Sequence, residues 1–284
     1  MMKKPQVGYI LDGVEFIKSE LLLKIEENEG KYLNFGIGVY SDKVFEQVHG
    51  RKPLKSYNER SHLASCIKGV DFVWEVHELD ESDVKAEPPL YVDDGQPKPF
   101  HVVYAPGSYD LLHEGHLDHL LQCRRKGDIL VVGVKSDRNV FETKGKYTRQ
   151  TEDERMEIVK RINFVDHVIL VTTRNKRWAN ERVKEIVGEP INVVMLGSDC
   201  KGQEYIDNPD GLMFIFTDRD PKVMETRSST YLRQQLANLD NAQEATNADH
   251  DWLSSCRVAR IVWNFRRTLL SKFIKMIRSN YLWI

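Results

Sequence analysis

Two imidazoles three residues apart, His113 and His116 in YAPGSYDLLHEGHLDHL (104–120), are the side chains of this 284-residue chain best placed to do chemistry. They follow a short apolar run ending at Ala105 and a turn containing Gly107, and they fall where a helix is expected to begin. A helix N-terminus offers unpaired N–H groups and the positive end of the helix dipole, which together favour a phosphate. Side chains at i and i+3 share one helix face, so both imidazoles can donate to a single phosphate group. Gly115 between them lets a nucleotide approach the backbone closely. Zinc would want a third ligand at matching spacing, and the sequence offers none.

The elements that must hold this pair in place alternate. HVVYA (101–105), ILVVGV (129–134), HVILV (167–171), INVVML (191–196) and MFIFT (213–217) are short apolar runs suited to buried parallel strands. Between them, HLDHLLQCRRKG repeats apolar residues at helical spacing and is expected to stop at Gly127. TEDERMEIVKRI (151–162) opens on a capping box, Thr151 with Glu154, WANERVKEIV (178–187) reads as a helix, and SSTYLRQQLA (228–237) as the last one. This alternation predicts an α/β fold with a Rossmann-like, doubly wound parallel sheet whose ligands sit at the C-terminal ends of the strands.

The same pattern occurs earlier in the chain. Residues 7–76 lie on 102–171 without a gap, an offset of 95 (102 − 7), with FGIGVYSD (35–42) on LVVGVKSD (130–137) and NERSHLASCIKGVDFV (58–73) on DERMEIVKRINFVDHV (153–168). A truncated, degenerate copy of the fold is therefore expected before the main one. In that copy Lys18 stands at the place of His113, Leu21 at that of His116, Glu15 at that of Asp110 and Asp12 at that of Gly107. A leucine cannot donate to a phosphate and two carboxylates repel one, so the copy is expected to be catalytically dead. The predicted division is a degenerate domain over 1–77, an acidic Pro-rich linker over 78–99, a catalytic domain over 100–237, a polar linker over 238–251 and a basic tail over 252–284.

GSYDLLHEGH resembles the G-x-[FY]-D-x-x-H-x-G-H signature of the cytidylyltransferase-like nucleotidyltransferases, and the likeness extends across 100–237. Nearest are the glycerol-3-phosphate cytidylyltransferases, with the ethanolamine-phosphate and choline-phosphate enzymes as relatives. The resemblance implies transfer of CMP from CTP to a small phosphorylated alcohol, such as glycerol 3-phosphate or phosphoethanolamine. The acceptor phosphate attacks the α-phosphorus in line, pyrophosphate leaves, and Mg2+ travels on the triphosphate with no metal site on the protein. His113 and His116 would stabilise the charge on the transferred phosphoryl group, and Ala105, Gly107, Ser108, Tyr109, Asp110 and Gly115 would line the nucleotide site.

Three further segments follow the same likeness. KGKYTRQTEDER (144–155) resembles the family's lysine-bearing loop, in which Lys144 would act in catalysis, Lys146 would bind substrate and Arg155 would clamp a phosphate. The recurrence of an arginine at Arg60 in the earlier copy fits a structural role equally well. VVMLGSDCKGQEY (193–205) resembles the G-D-D-W-x-G-K segment, which places Gly197 and Asp199 in the nucleotide crevice, although Cys200 replaces its tryptophan. Trp178 would wall the substrate pocket, or else be an ordinary core residue opening its helix. ETRSSTYLR (225–233) resembles R-T-x-G-I-S-T-T; Arg227, Ser228, Ser229 and Thr230 would grip the β- and γ-phosphates, with Arg219 or Lys222 as other sources of charge. Related enzymes use ATP, so an adenylyltransferase is the competing activity, and a non-catalytic nucleotide-binding regulator the competing class.

The bulk numbers fit a globular protein: 41% hydrophobic, 30% charged and a net charge of −2, which gives no general pull toward nucleic acid. The four cysteines are far apart and show no zinc spacing, in keeping with reduced thiols and a cytoplasmic setting. A homodimer, or a pseudo-dimer between the two repeats, is expected. In the tail, Ala259, Val262, Trp263, Leu270, Phe273, Ile274, Ile277 and Tyr281 form one apolar stripe, seven residues are Lys or Arg, and no acid occurs from Trp252 onward. An amphipathic helix over 254–284 that lies on an anionic membrane surface is the expectation, with packing against the protein as the alternative.

Overall fold

Short β-branched runs and the helices between them fold into two parallel sheets. The computed structural model describes residues 7–77, 95–202, 211–218 and 229–239. The first sheet has three strands in the order β1–β2–β3: β1 (Val7–Asp12), β2 (Asn34–Tyr40) and β3 (Phe72–Val76). The second has five: β4 (Phe100–Gly107), β5 (Gly127–Lys135), β6 (His167–Val171), β7 (Val193–Gly197) and β8 (Met213–Thr217), in the order β6–β5–β4–β7–β8. Every pairing is parallel. The chain thus builds outward from β4 on one side, returns, and builds on the other. This is the doubly wound arrangement that leaves a crevice at the strand C-termini where the order reverses.

Alternation along β4 explains the layers. Val103 and Ala105 face a core that includes Leu117 and Leu120 of helix α4 (Glu114–Arg124) and Ile158 and Val159 of α6 (Glu152–Lys160). Val102 and Tyr104 face the opposite core, with Ala179 and Val183 of α7 (Lys176–Val187). Thr151 caps α6 in a full capping box with Glu154, as its sequence predicts. Two expectations shift. Gly127 does not stop α4, which is capped at Arg125; it opens β5, where an added Cβ would collide with the Val103 side chain. The lysine-bearing loop is partly helical, because Ser136 caps α5 (Asp137–Lys144) and Gly145 closes it in the left-handed conformation. A 3-10 turn, Ser198–Cys200, follows β7, and a last helix, α8 (229–239), follows β8.

Helices α1 (Ser19–Asn28), α2 (Asp42–His49) and α3 (Tyr57–Ser65) accompany the smaller sheet. The two sheets pack on one another. Val14, Leu21, Ile25, Leu63 and Ile67 share one apolar core with Leu117, Leu120, Ile158 and Ile162, and Met1–Leu232 forms a single compact unit. Residues from Arg233 belong to a second unit, of which only the remainder of α8 is described.

Correspondence at the offset of 95 extends to individual bonds. α2 and α5, α3 and α6, and β3 and β6 have matching bounds. The Asp71 carboxylate accepts from Phe35 N–H at 2.7 Å, and Asp166 from Leu130 N–H at 2.7 Å. Where the halves meet, equivalent positions touch. Ile67 bridges Ile162 in antiparallel fashion, Lys68 N–H donates to the Arg161 carbonyl at 2.7 Å, and Asn163 N–H donates to the Cys66 carbonyl at 2.7 Å.

Segments 78–94 and 240–251, Arg219, Lys222, Arg227, Ser228 and the tail 254–284 lie outside the described residues. Among the described residues no helix is long and apolar enough to cross a membrane.

Candidate functional site

Strand β4 ends at Gly107, and α4 begins after six intervening residues. The turn between them is tightly built. Tyr109 and Leu111 both adopt left-handed backbone conformations (φ 51° and 52°), which non-glycine residues rarely hold without support from their surroundings. The support is visible. Asp110 is fully buried, and its carboxylate accepts from Arg149 and Gln150 N–H at 3.1–3.2 Å, tying the turn to the loop after α5. Gln150 returns the contact through its side chain, accepting from Leu111 N–H at 2.9 Å. Tyr109 is buried and donates to the Ala105 carbonyl at 3.0 Å. A Cβ on Gly107 would meet the Tyr109 ring at 2.7 Å, so glycine is required there by close packing.

His113 is the N-cap of α4 but makes no side-chain capping bond. Its ring stacks on that of His116, centroids 3.8 Å apart, and the Tyr109 ring lies 5.4 Å from that of His116. The i, i+3 spacing does bring both imidazoles to one face. Ser229, at the start of α8, donates its hydroxyl to the Asp110 carbonyl at 2.9 Å and sits 3.3 Å from His113 Nε2. With that hydroxyl proton engaged, the His113 ring N–H is the donor between them. Lys146 donates to Thr230 Oγ1 at 3.1 Å, and Lys144 to Ser108 Oγ at 3.0 Å. Three stretches far apart in sequence (104–116, 144–150 and 229–230) therefore meet beyond the C-terminal end of β4.

Other predicted residues are placed differently. Arg155 does not present its guanidinium to the crevice. It is fully buried and donates to the carbonyls of Gln150 (3.2 Å), Ser108 (2.6 Å) and Lys135 (2.7 Å) and to the Asp137 carboxylate (2.6 Å). Arg60 makes the corresponding four contacts, to Lys55, Gly13, Tyr40 and Asp42, in a half that lacks the histidines. The arginine is a framework residue, occupied on all sides. Asp110 and Ala105 are also enclosed; what they contribute is backbone position. Trp178 is half-buried against the α7 core, and Cys200, which takes the place of a family tryptophan, packs on that same core. Gly197 is buried at the end of β7, whereas Asp199 is exposed beyond it.

Lys135 escaped the sequence reading. It ends β5, and loss of hydration holds its ammonium below the ordinary lysine range. Cys200 and Asp199 act to raise it, while Lys176 and Arg174 lower it further. Lys144 is shifted the same way, by desolvation first and then by Lys135 and Lys146. These cations crowd one edge of the sheet, as an anionic ligand would require. Its place at a strand's C-terminal end was the signal for Lys135.

In the earlier half, Lys18 caps α1, Leu21 is buried, and Glu15 does not stand as a free charge. Glu15 pairs with Arg51 and accepts from Leu54 N–H, the counterpart of the Asp110 contact with Arg149. The charge of Glu15 is thus offset by Arg51, and this half has no imidazole pair at the corresponding places.

Comparison with known proteins bears on the larger, five-stranded part of the chain. Residues 104–235 match the family model described as cytidylyltransferase-like. They form a cytidylyltransferase-like domain. The chain is 28% identical over 152 residues to the bifunctional protein HldE of Campylobacter concisus, a match covering 53% of this chain and 29% of that protein. It is 28% identical over 134 residues to the glycerol-3-phosphate cytidylyltransferase of Bacillus subtilis, covering 47% of this chain and 95% of that protein. Over 67 residues it is 45% identical to the ethanolamine-phosphate cytidylyltransferase of Arabidopsis thaliana, 24% of this chain and 16% of that protein. The chain thus spans less than a third of the HldE protein it matches. The histidine pair, the lysines and the start of α8 all belong to the cytidylyltransferase-like domain.

Proposed function

We propose that the cytidylyltransferase-like domain transfers CMP from MgCTP to a small phosphorylated alcohol and releases pyrophosphate. The observation that carries this reading is the convergence of His113 and His116 with Ser229, Thr230, Lys144 and Lys146 at the mouth of the sheet. Imidazoles, hydroxyls and ammonium groups on rigid elements neutralise charge on a transferring phosphoryl group without a covalent intermediate. His113 and His116 would donate to the α-phosphate, and Ser229 and Thr230 would hold the leaving pyrophosphate with Lys146. Lys144, Lys135 and the cations beside them would draw in the acceptor phosphate. Among the described residues no three His, Cys, Asp or Glu side chains are grouped to hold a metal ion. Magnesium in this reading travels on the triphosphate oxygens.

The test is pyrophosphate release by the full chain with CTP or ATP against a panel of glycerol 3-phosphate, phosphoethanolamine and sugar phosphates. CTP-dependent release with one acceptor is the expected result. Release with ATP alone would make it an adenylyltransferase, and nucleotide binding without release would make it a regulator.

We further propose that residues 7–76 are a degenerate copy standing in for a second subunit. Element bounds and hydrogen bonds that recur at one offset support this reading, as does the contact of Ile67 with its own counterpart Ile162. For the basic tail, the proposal is attachment to anionic membrane surfaces. Its test is cosedimentation with anionic liposomes, in which the full chain should pellet and a chain ending at residue 250 should not.

A further inference from the structure

The half of the chain without the histidines reaches into the histidine turn at two points. Lys55 lies just before α3, is 2% exposed, and donates from Nζ to the Leu112 carbonyl at 2.9 Å. Its ammonium also sits 4.1 Å from the centroid of the Phe16 ring. His62, on α3, places Nδ1 2.9 Å from Glu114 Oε1. Leu112 and Glu114 are the residues on either side of His113. The turn they belong to carries the left-handed Leu111, a conformation not found at its counterpart Phe16 among the described residues. Within the domain, Gln150 grips Leu111 N–H. From across the interface, Lys55 grips the next carbonyl.

We propose that Lys55 and His62 are positioning residues for His113 and His116, so that the histidine-free half sets the geometry of the phosphate site. Holding the Leu112 carbonyl on one side of His113 and the Glu114 side chain on the other fixes where the imidazole points. A displacement of about 1 Å at a reacting group can cost on the order of 10²-fold in rate. Neither residue touches the site of reaction, so binding of the nucleotide should change less than turnover. The interaction rests on the nucleotidyl transfer proposed above only for its kinetic readout.

The experiment uses the full chain with Lys55→Met, His62→Ala and His62→Asn. In the turnover assay, Lys55→Met and His62→Ala should lower kcat about 10- to 100-fold with little change in KM for the nucleotide. His62→Asn places an amide N–H near the position of Nδ1 and should restore most of the loss. Glu114→Gln should show no additive loss when combined with His62→Ala. Because Lys55 is buried, its variant can fail by unfolding; His62 is partly exposed, and its variants keep the question answerable. Ring NMR of the histidines separates this idea from the activity reading. Signals of His113 and His116 should shift in His62→Ala while those of His101 and His167 stay, whether or not any nucleotide is turned over. A wild-type chain inert with every nucleotide would overturn the activity reading alone. Unchanged His113 and His116 signals in His62→Ala, with unchanged kcat in any turnover assay, would overturn the positioning role.

Discussion

At the scale of single residues, the imidazole pair and the buried arginine separate two kinds of importance. His113→Ala or His116→Ala should lower kcat by ~10²–10³ with the fold intact, since each removes one preorganised donor; circular dichroism and turnover measured together check this. Arg155→Met should instead cost stability, about 3 kcal/mol, chiefly by leaving three carbonyls unpaired, since the partly exposed Asp137 keeps Thr148 and Glu152 as donors. Urea denaturation reads that loss directly, and a fully stable but inactive variant would return Arg155 to the phosphate. The histidines were legible because their spacing, a turn and a helix start are all local. Arg155 was not, because an arginine near a phosphate loop looks the same whether its guanidinium faces outward or inward. The tell was Arg60, an arginine kept where no phosphate donors remain. Lys135 was missed because its partners come from the segments after β6 and β7.

Among the elements, the turn between β4 and α4 determines how the site is presented. Gly107→Ala should push the Tyr109 ring, which packs beside His116, and so lower kcat with a modest loss of stability of about 1–3 kcal/mol; the check is kcat against the urea midpoint. The strands and the α6 capping box were readable from runs of Val and Ile and from Thr151 with Glu154. Helix α5 was not, since DRNVFETK has little apolar periodicity and rests on its Ser136 cap and Gly145 stop. The role of Gly127 was misread for a related reason. A glycine after a helical run signals a stop, and only the neighbouring strand reveals that Val103 needs the space.

For the molecule as a whole, Lys55 makes the contact between halves sensitive to pH. Burial pushes its ammonium down to about 7, with Glu15, Glu59 and Glu114 only partly offsetting the loss of hydration. Unfolded, the same lysine titrates near 10.5, so between those values the unfolded chain binds the extra proton. The destabilisation is therefore full below pH 7 and is relieved as the pH rises, by up to ~1.4 kcal/mol per pH unit. Cys66, pushed up to about 12 by burial, opposes this above pH 9. Urea unfolding of the wild type and Lys55→Met between pH 7 and 9 should show a steeper rise in the wild type, the remainder coming from lowered lysines such as Lys135 and Lys144 that both chains keep. Calorimetric titration should give one nucleotide per chain, as the replacement of His116 by Leu21 in the earlier half leaves a single donor pair.

The bridge between Ile67 and Ile162 has a further consequence. Contacts of this self-matching kind usually join two copies of a protein, and they come apart when the copies are diluted. Here both partners lie on one strand of covalent chain, at an effective local concentration that dilution cannot change. Each half is also released from the obligation to remain identical to the other. Under the proposal that one half is a degenerate copy, the other can keep the proposed chemistry while Lys55 and His62 serve only to hold it.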